Sequence, residues 1–180
     1  MSRRLLALLA AAGFVLSGCA SISESFDSIN PFRGSGPKIA PLGAITTTAE
    51  LKTQWSVSAG KAGDYVFAPA VVGNAVYVAG RDGNISKIED GKTVWSIKAG
   101  QSLSAGVGAN ARMLAVGTPK GDVLAFSTED GKALWQAKVT SEVLAAPAVG
   151  DDGVAVKSGD NRVFLLDSSD GGRKWVYQRA

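Results

Sequence analysis

Beyond about residue 66 the apolar positions fall in short runs, and no stretch repeats at the helical period of about 3.6 residues. Ala75 to Ala79, Met113 to Val116 and Val154 to Val156 form one set of runs, and Val123 to Phe126 and Val163 to Leu166 the next. Upstream of them lie Phe67-Ala68-Pro69-Ala70-Val71-Val72 and Leu144-Ala145-Ala146-Pro147-Ala148-Val149, while Ser104-Ala105-Gly106-Val107 takes the same place without the proline. Gly-Asp and Gly-Asn pairs punctuate these runs, and Gly, Asn and Asp favour turns because they tolerate positive φ. The pattern predicts four short strands in every 40 residues and an all-β domain.

The runs keep a fixed period. Trp55, Trp95, Trp135 and Trp175 are all the tryptophans of the chain and stand 40 residues apart. A constant spacing of that length marks a repeat architecture, in which one supersecondary unit stacks on copies of itself. Asp90-Gly91-Lys92-Thr93-Val94-Trp95, Asp130-Gly131-Lys132-Ala133-Leu134-Trp135 and Asp170-Gly171-Gly172-Arg173-Lys174-Trp175 each set an Asp-Gly pair before the tryptophan. That pair predicts a tight hairpin whose two central residues have positive φ, so each tryptophan is expected in the strand that follows. Four strands per period describe the blade of a β-propeller.

Trp55 departs from the others, because Glu50-Leu51-Lys52-Thr53 precedes it and no Asp-Gly turn does. Residues 53–58 are expected to be an N-terminal strand that completes the last blade of a closed ring, a closure that removes an exposed sheet edge. The chain ends inside the fourth tryptophan strand, at Trp175-Val176-Tyr177-Gln178-Arg179-Ala180. Three blades and a spare strand fall short of the roughly four to eight that propellers use. The 180 residues are therefore expected to be part of a longer protein. An open propeller with free edges should be marginally stable and prone to aggregation.

The N-terminus carries a different pattern. Arg3 and Arg4 precede a 12-residue apolar run from Leu5 to Leu16, closed by Leu16-Ser17-Gly18-Cys19. The run is too short to span a bilayer and reads as a secretory signal over residues 1–18. Its end resembles a bacterial lipoprotein box, which implies that processing leaves Cys19 first in the chain and acylated on its thiol and amine. The other reading is an ordinary signal peptide with a chance cysteine. Two or more acyl chains hold a protein stably on a membrane, whereas one is marginal. Ala20 stands where the familiar inner-membrane retention signal has Asp, so the resemblance implies sorting to the outer membrane and a mature chain facing the periplasm. Residues 19–50 are rich in Ser, Pro, Gly, Ala and Thr and read as a tether. Its reach as a flexible coil is on the order of 30 Å. Phe26 and Phe32 could dock on a partner, but the solvated linker is the simpler reading. Residues 51–180 are left as the partial propeller.

Without residues 1–18 the chain keeps 17 basic against 16 acidic residues, a net charge near +1. No broad attraction to nucleic acid or anionic membrane follows from that balance. Cys19 is the only cysteine, so an intramolecular disulfide or thiolate metal cluster is excluded. The chain has no histidine, which removes the commonest general base and metal ligand. Gly106-Val107-Gly108 is weakly like a dinucleotide loop, but a strand follows where a helix is required, and a turn is expected. Asp151-Asp152-Gly153 and Asp160-Asn161 lack the spacing and distal Glu of a calcium loop and read as turns. Asn84-Ile85-Ser86 has the form of a glycosylation acceptor, which the bacterial signal makes idle.

The repeats resemble the propellers first seen in quinoprotein dehydrogenases, whose docking motif reads Ala-x-Asp-x-x-Thr-Gly-x-x-x-Trp. Ala125, Gly131 and Trp135 match it in one repeat, and Asp167, Gly171 and Trp175 in another, with Asp130 and Asp170 replacing the threonine. The earliest repeat keeps Gly91 and Trp95, and its hairpin is about two residues shorter. In such a motif each indole covers the seam between neighbouring blades, burying about 150–250 Å². The lipoprotein signal, the tether, the lone Trp55 strand and the blades, in this order, resemble the BamB-like outer-membrane assembly factors. Trp55-Ser56-Val57-Ser58-Ala59-Gly60 followed by Ala75-Val76-Tyr77-Val78-Ala79 is close to the opening blade of that family.

This resemblance implies eight blades, no catalysis and no cofactor. It implies binding to the periplasmic domains of the barrel-forming subunit of the Bam complex, alongside other Bam lipoproteins, and help in delivering unfolded outer-membrane proteins. The family's best-known partner loop follows the tryptophan strand that ends this chain, so the partner-binding residues stay unassigned. Arg81, Asp82, Arg112, Lys120 and Arg162 lie in or beside turns and could contribute, with solvated turn charges as the plainer reading. Two alternatives stay open. One is a periplasmic quinoprotein dehydrogenase with calcium and pyrroloquinoline quinone in the central funnel; the other is a lipoprotein that binds cell wall, for which no residue pattern speaks.

Overall fold

The computed structural model describes Gly43 and residues 49–178. Cys19, the signal and most of the tether lie outside the described residues. Within the unit Leu51–Ala180 the chain forms twelve strands and, among the described residues, no helix. They are β1 (Ala70–Val72), β2 (Ala75–Ala79), β3 (Asn84–Glu89), β4 (Lys92–Lys98), β5 (Gly108–Ala109), β6 (Met113–Gly117), β7 (Asp122–Ser127), β8 (Ala133–Lys138), β9 (Ala148–Val149), β10 (Gly153–Lys157), β11 (Arg162–Asp167) and β12 (Arg173–Gln178).

The strands make three antiparallel sheets, each of four strands in chain order, β1 to β4, β5 to β8 and β9 to β12. Residues 53–58, expected as an N-terminal strand, belong to no strand and pair with none among the described residues.

Burial explains the sequence of each sheet. The second sheet has a neighbour on both faces, so β6 is buried along its whole length and reads Met-Leu-Ala-Val-Gly, continuously apolar or small. Strand alternation splits its side chains between two cores. Leu114, Val116, Leu124 and Phe126 pack against Ala75, Tyr77, Ala79 and Ile85 of the first sheet. Met113, Ala115, Val123 and Ala125 pack against Val154, Val156, Phe164 and Leu166 of the third. β2 and β10 have one covered face: β2 alternates between buried and half-buried residues, and β10 does so up to the exposed Lys157.

The innermost strands are short because the sheets converge there. Val107 N–H donates to the Ala68 carbonyl at 3.2 Å, and a Cβ on Gly106 would lie 2.6 Å from Ala68 backbone atoms. A Cβ on Gly108 would overlap the Pro147 carbonyl oxygen. Gly106-Val107-Gly108 is thus neither a turn nor a dinucleotide loop. It is the entry to β5, where only a missing side chain lets two sheets approach.

The hairpins also differ from the sequence expectation. Asp90 and Gly91 have φ of 47° and 73°, which is the two-residue turn that Asp-Gly predicts. At the other two sites only Gly131 (73°) and Gly171 (76°) have positive φ. There the loops are longer: Gly131 N–H donates to the Ser127 carbonyl and Gly171 N–H to Asp167, each at 3.0 Å. Asp130 and Asp170 accept from the backbone N–H of Lys132 and Gly172 in place of adopting left-handed backbone.

Candidate functional site

The element that sets each tryptophan is a bulge. Register shifts between Lys87 and Ile88, between Ala125 and Phe126, and between Leu165 and Leu166, where Trp95, Trp135 and Trp175 pair opposite Lys87, Ala125 and Leu165. An extra residue on the tryptophan strand bends it and re-aims the next side chain. Val94 and Leu134 occupy that position and are 52% and 50% exposed, and the indole turns toward the following sheet.

Each indole then meets the glycine of the next hairpin. A Cβ on Gly91 would lie 2.8 Å from Trp55 Cγ, one on Gly131 3.3 Å from Trp95 Cε3, and one on Gly171 2.6 Å from Trp135 Cε3. Trp95 belongs to the core between the first and second sheets, and Trp135 to that between the second and third. Both are half-buried, less than a fully packed indole. Trp55, 46% exposed, sits on the first sheet as Trp95 sits on the second. Trp175, 48% exposed, meets no such glycine among the described residues.

The polar ends of the indoles differ. Trp135 Nε1–H donates to the Ser168 carbonyl at 2.9 Å. The matching acceptor for Trp95 is the Thr128 carbonyl, but the Tyr77 hydroxyl donates to it at 3.3 Å, and Trp95 Nε1 has no partner among the described residues. Tyr77 lies 6.0 Å from the Trp95 ring and occupies the place of Ala115 and Ala155 in the other sheets, where no such competitor exists.

A cleft of about 740 Å³ lies between the second and third sheets at their hairpin end. Arg112 Nη2 donates to the Asp151 carbonyl at 2.9 Å, and Lys174 Nζ to the Asp152 carbonyl at 2.6 Å and the Asp167 carboxylate at 3.0 Å. The Ser169 hydroxyl and N–H, then Lys174, hold the Asp167 carboxyl well below the ordinary carboxylate range. Met113 and Leu134 supply the apolar wall. Sequence reasoning singled out Arg112 here as a turn charge and Asp167 as a docking-motif position, but not Lys174, which meets Asp167 across the β11–β12 hairpin.

The other turn charges sit at the opposite, connector end. Arg81 lies 5.0 Å over the Tyr65 ring, a cation–π contact, and Asp82 pairs with Lys98 at 3.0 Å. The Lys120 carbonyl accepts from Lys138, and Arg162 donates to Asp160 and Gln178. The Asp160 carboxylate also accepts from Ser158 and Thr140, which lower its pKa. Among the described residues no group of three or more His, Cys, Asp or Glu is placed to hold a metal. The five charged residues thus do not form one patch.

Three stacked four-stranded sheets, each clamped to the next by a tryptophan on a glycine, define part of a β-propeller of the tryptophan-docking class. The family model for outer membrane protein assembly factor BamB matches residues 81–180, more than half of the chain. The chain belongs to that family. The outer membrane protein assembly factor BamB of Burkholderia pseudomallei is 37% identical over 107 residues, and that of Bordetella pertussis 35% over 112. These alignments take in 58% and 61% of this chain but only 28% and 27% of the relatives' lengths. The crystal structure of BamB from Moraxella catarrhalis matches with a TM-score of 0.61 and 25% identity, over 65% of this chain and 36% of that one. Quinohemoprotein alcohol dehydrogenase from Comamonas testosteroni matches with a TM-score of 0.53 at 19% identity, over 66% and 21% of the two chains, a likeness of fold alone.

Proposed function

We propose that this chain works as a non-catalytic scaffold in outer-membrane β-barrel assembly, binding the periplasmic domains of the barrel-forming subunit of the Bam complex and aiding insertion of outer-membrane proteins. In this reading residues 1–18 are a signal peptide, Cys19 carries the lipid, residues 19–50 tether the propeller, and the mature protein faces the periplasm from the outer membrane. The observation that carries it is the family match over residues 81–180, supported by two assembly-factor relatives above 30% identity. The docking positions Gly91, Trp95, Gly131, Trp135, Gly171 and Trp175 serve architecture in this reading, holding loops and edges in place for a partner. The dehydrogenase alternative has fold likeness behind it and no more.

The test is affinity purification of the tagged full-length protein from detergent-solubilised envelopes, with mass spectrometry of what co-purifies. Recovery of barrel-assembly subunits is expected. A clean preparation without them, or one carrying a quinone chromophore, would overturn the scaffold reading. Metabolic labelling with palmitate, lost in Cys19→Ala, checks the anchor.

A further inference from the structure

Among the described residues, the outer strands β4, β8 and β12 each have a hydrogen-bonded neighbour on one side only. Such an edge is a template for another strand unless the sequence blunts it. The three strands carry five Lys or Arg residues, Lys92, Lys98, Lys138, Arg173 and Lys174, and no Asp or Glu. Lys92 and Arg173 form no ion pair among the described residues. Lys98 and Lys138 pair with Asp82 and Asp122 at 3.0 and 3.1 Å, and Lys138 also donates to the Lys120 carbonyl, but both lysine side chains stay more than half exposed, where such pairs are weak.

Two of these edges share one composition. Ala99 N–H donates inward to Gly83, and Val139 N–H to Gly121. By strand alternation the backbone groups of Ser96 and Lys98, and of Gln136 and Lys138, point away from their sheets. The bulge holds Val94 and Leu134 outward, four positions ahead of Lys98 and Lys138. A groove of about 380 Å³ between the end of β4, at Lys98 and Gly100, and β7 and β8, at Leu124, Phe126, Leu134 and Gln136, has room for an apolar side chain.

We propose that the edges of β4 and β8 take up an extended segment of a partner polypeptide as a fifth strand, preferring one that combines apolar residues with carboxylates. Main-chain bonds to Ser96, Lys98, Gln136 and Lys138 give the affinity, as in other cases of strand addition. Val94 or Leu134 receives the apolar side chain, and Lys98 or Lys138 the carboxylate. The inference rests on the scaffold reading and adds the chemistry of the partner: a β-prone, acidic and apolar segment not yet locked in its own sheet.

The test uses the full chain and two short extended peptides, one with valine and glutamate four residues apart and the other with valine and lysine at the same spacing. The glutamate peptide should slow hydrogen exchange at the amides of Ser96, Lys98, Gln136 and Lys138, and the lysine peptide should not. Lys98→Glu with Lys138→Glu should reverse that preference and weaken the glutamate peptide about tenfold. Ser96→Pro with Gln136→Pro removes two outward N–H groups and no ladder bond, and should abolish protection while the circular dichroism spectrum stays unchanged. Equal protection by both peptides, or protection confined to the Arg112–Lys174 cleft, would overturn the proposal. A chain that protects its edges but recovers no assembly subunits upholds the edge and sinks the scaffold reading; the reverse pair of results does the opposite.

Discussion

At the scale of single residues, the same side chain does different work in successive repeats. Trp135 makes a hydrogen bond that Trp95 lacks, because Tyr77 takes the equivalent carbonyl. Trp135→Phe should therefore cost about 1 kcal/mol more than Trp95→Phe in urea unfolding. Gly131→Ala must hold alanine at φ 73° with its Cβ 2.9 Å from Ile97 Cγ2. A loss of about 1–3 kcal/mol is expected by the same assay. Lys132, first by its side chain and then by its backbone N–H, with help from Ser127, holds the Asp130 carboxyl down to about 2. The folded value lies below the unfolded one of about 3.9, so this stabilisation is complete above about pH 4 and is lost as pH falls toward 2. Unfolding midpoints should drop over that window, and less steeply in Asp130→Asn.

At the scale of elements, the strands were largely legible, since apolar runs between turn residues report burial directly. Apolar runs mark β2, β6, β10 and Val123 to Phe126 of β7 alike; that β6 is covered on both faces and β2 on one shows only in their burial. Leu114→Ala should cost about 2–5 kcal/mol, whereas Val71→Ala, 69% exposed, should stay within about 0.5. Thermal and urea midpoints check both. The bulges were not legible, because an extra residue shows only once two strands are in register. The same holds for Gly106 and Gly108, whose purpose lies in a neighbouring sheet. Asp130-Gly131 misled for a local reason: the Asp carboxylate caps a longer loop, which leaves positive φ to glycine alone. Of the candidate site, Arg112 was visible as a turn charge, but its partnership with Asp151 depends on stacking.

At the scale of the whole described structure, protection should follow position in the stack. Amides of β6 and β7 should exchange last and those of β1 and β12 first, as measured by native-state hydrogen exchange. An order that ignores the stack would mean that the sheets open together. The clamps carry a temporal consequence as well. Trp55 and Gly91, Trp95 and Gly131, Trp135 and Gly171 are all 36 positions apart, so each indole waits for a seat nearly one repeat downstream. For a chain emerging from its N-terminus through a narrow pore, every sheet stays unlatched until the next hairpin has cleared. Folding then trails emergence by a constant length of polypeptide, and the youngest tryptophan is always the one left bare.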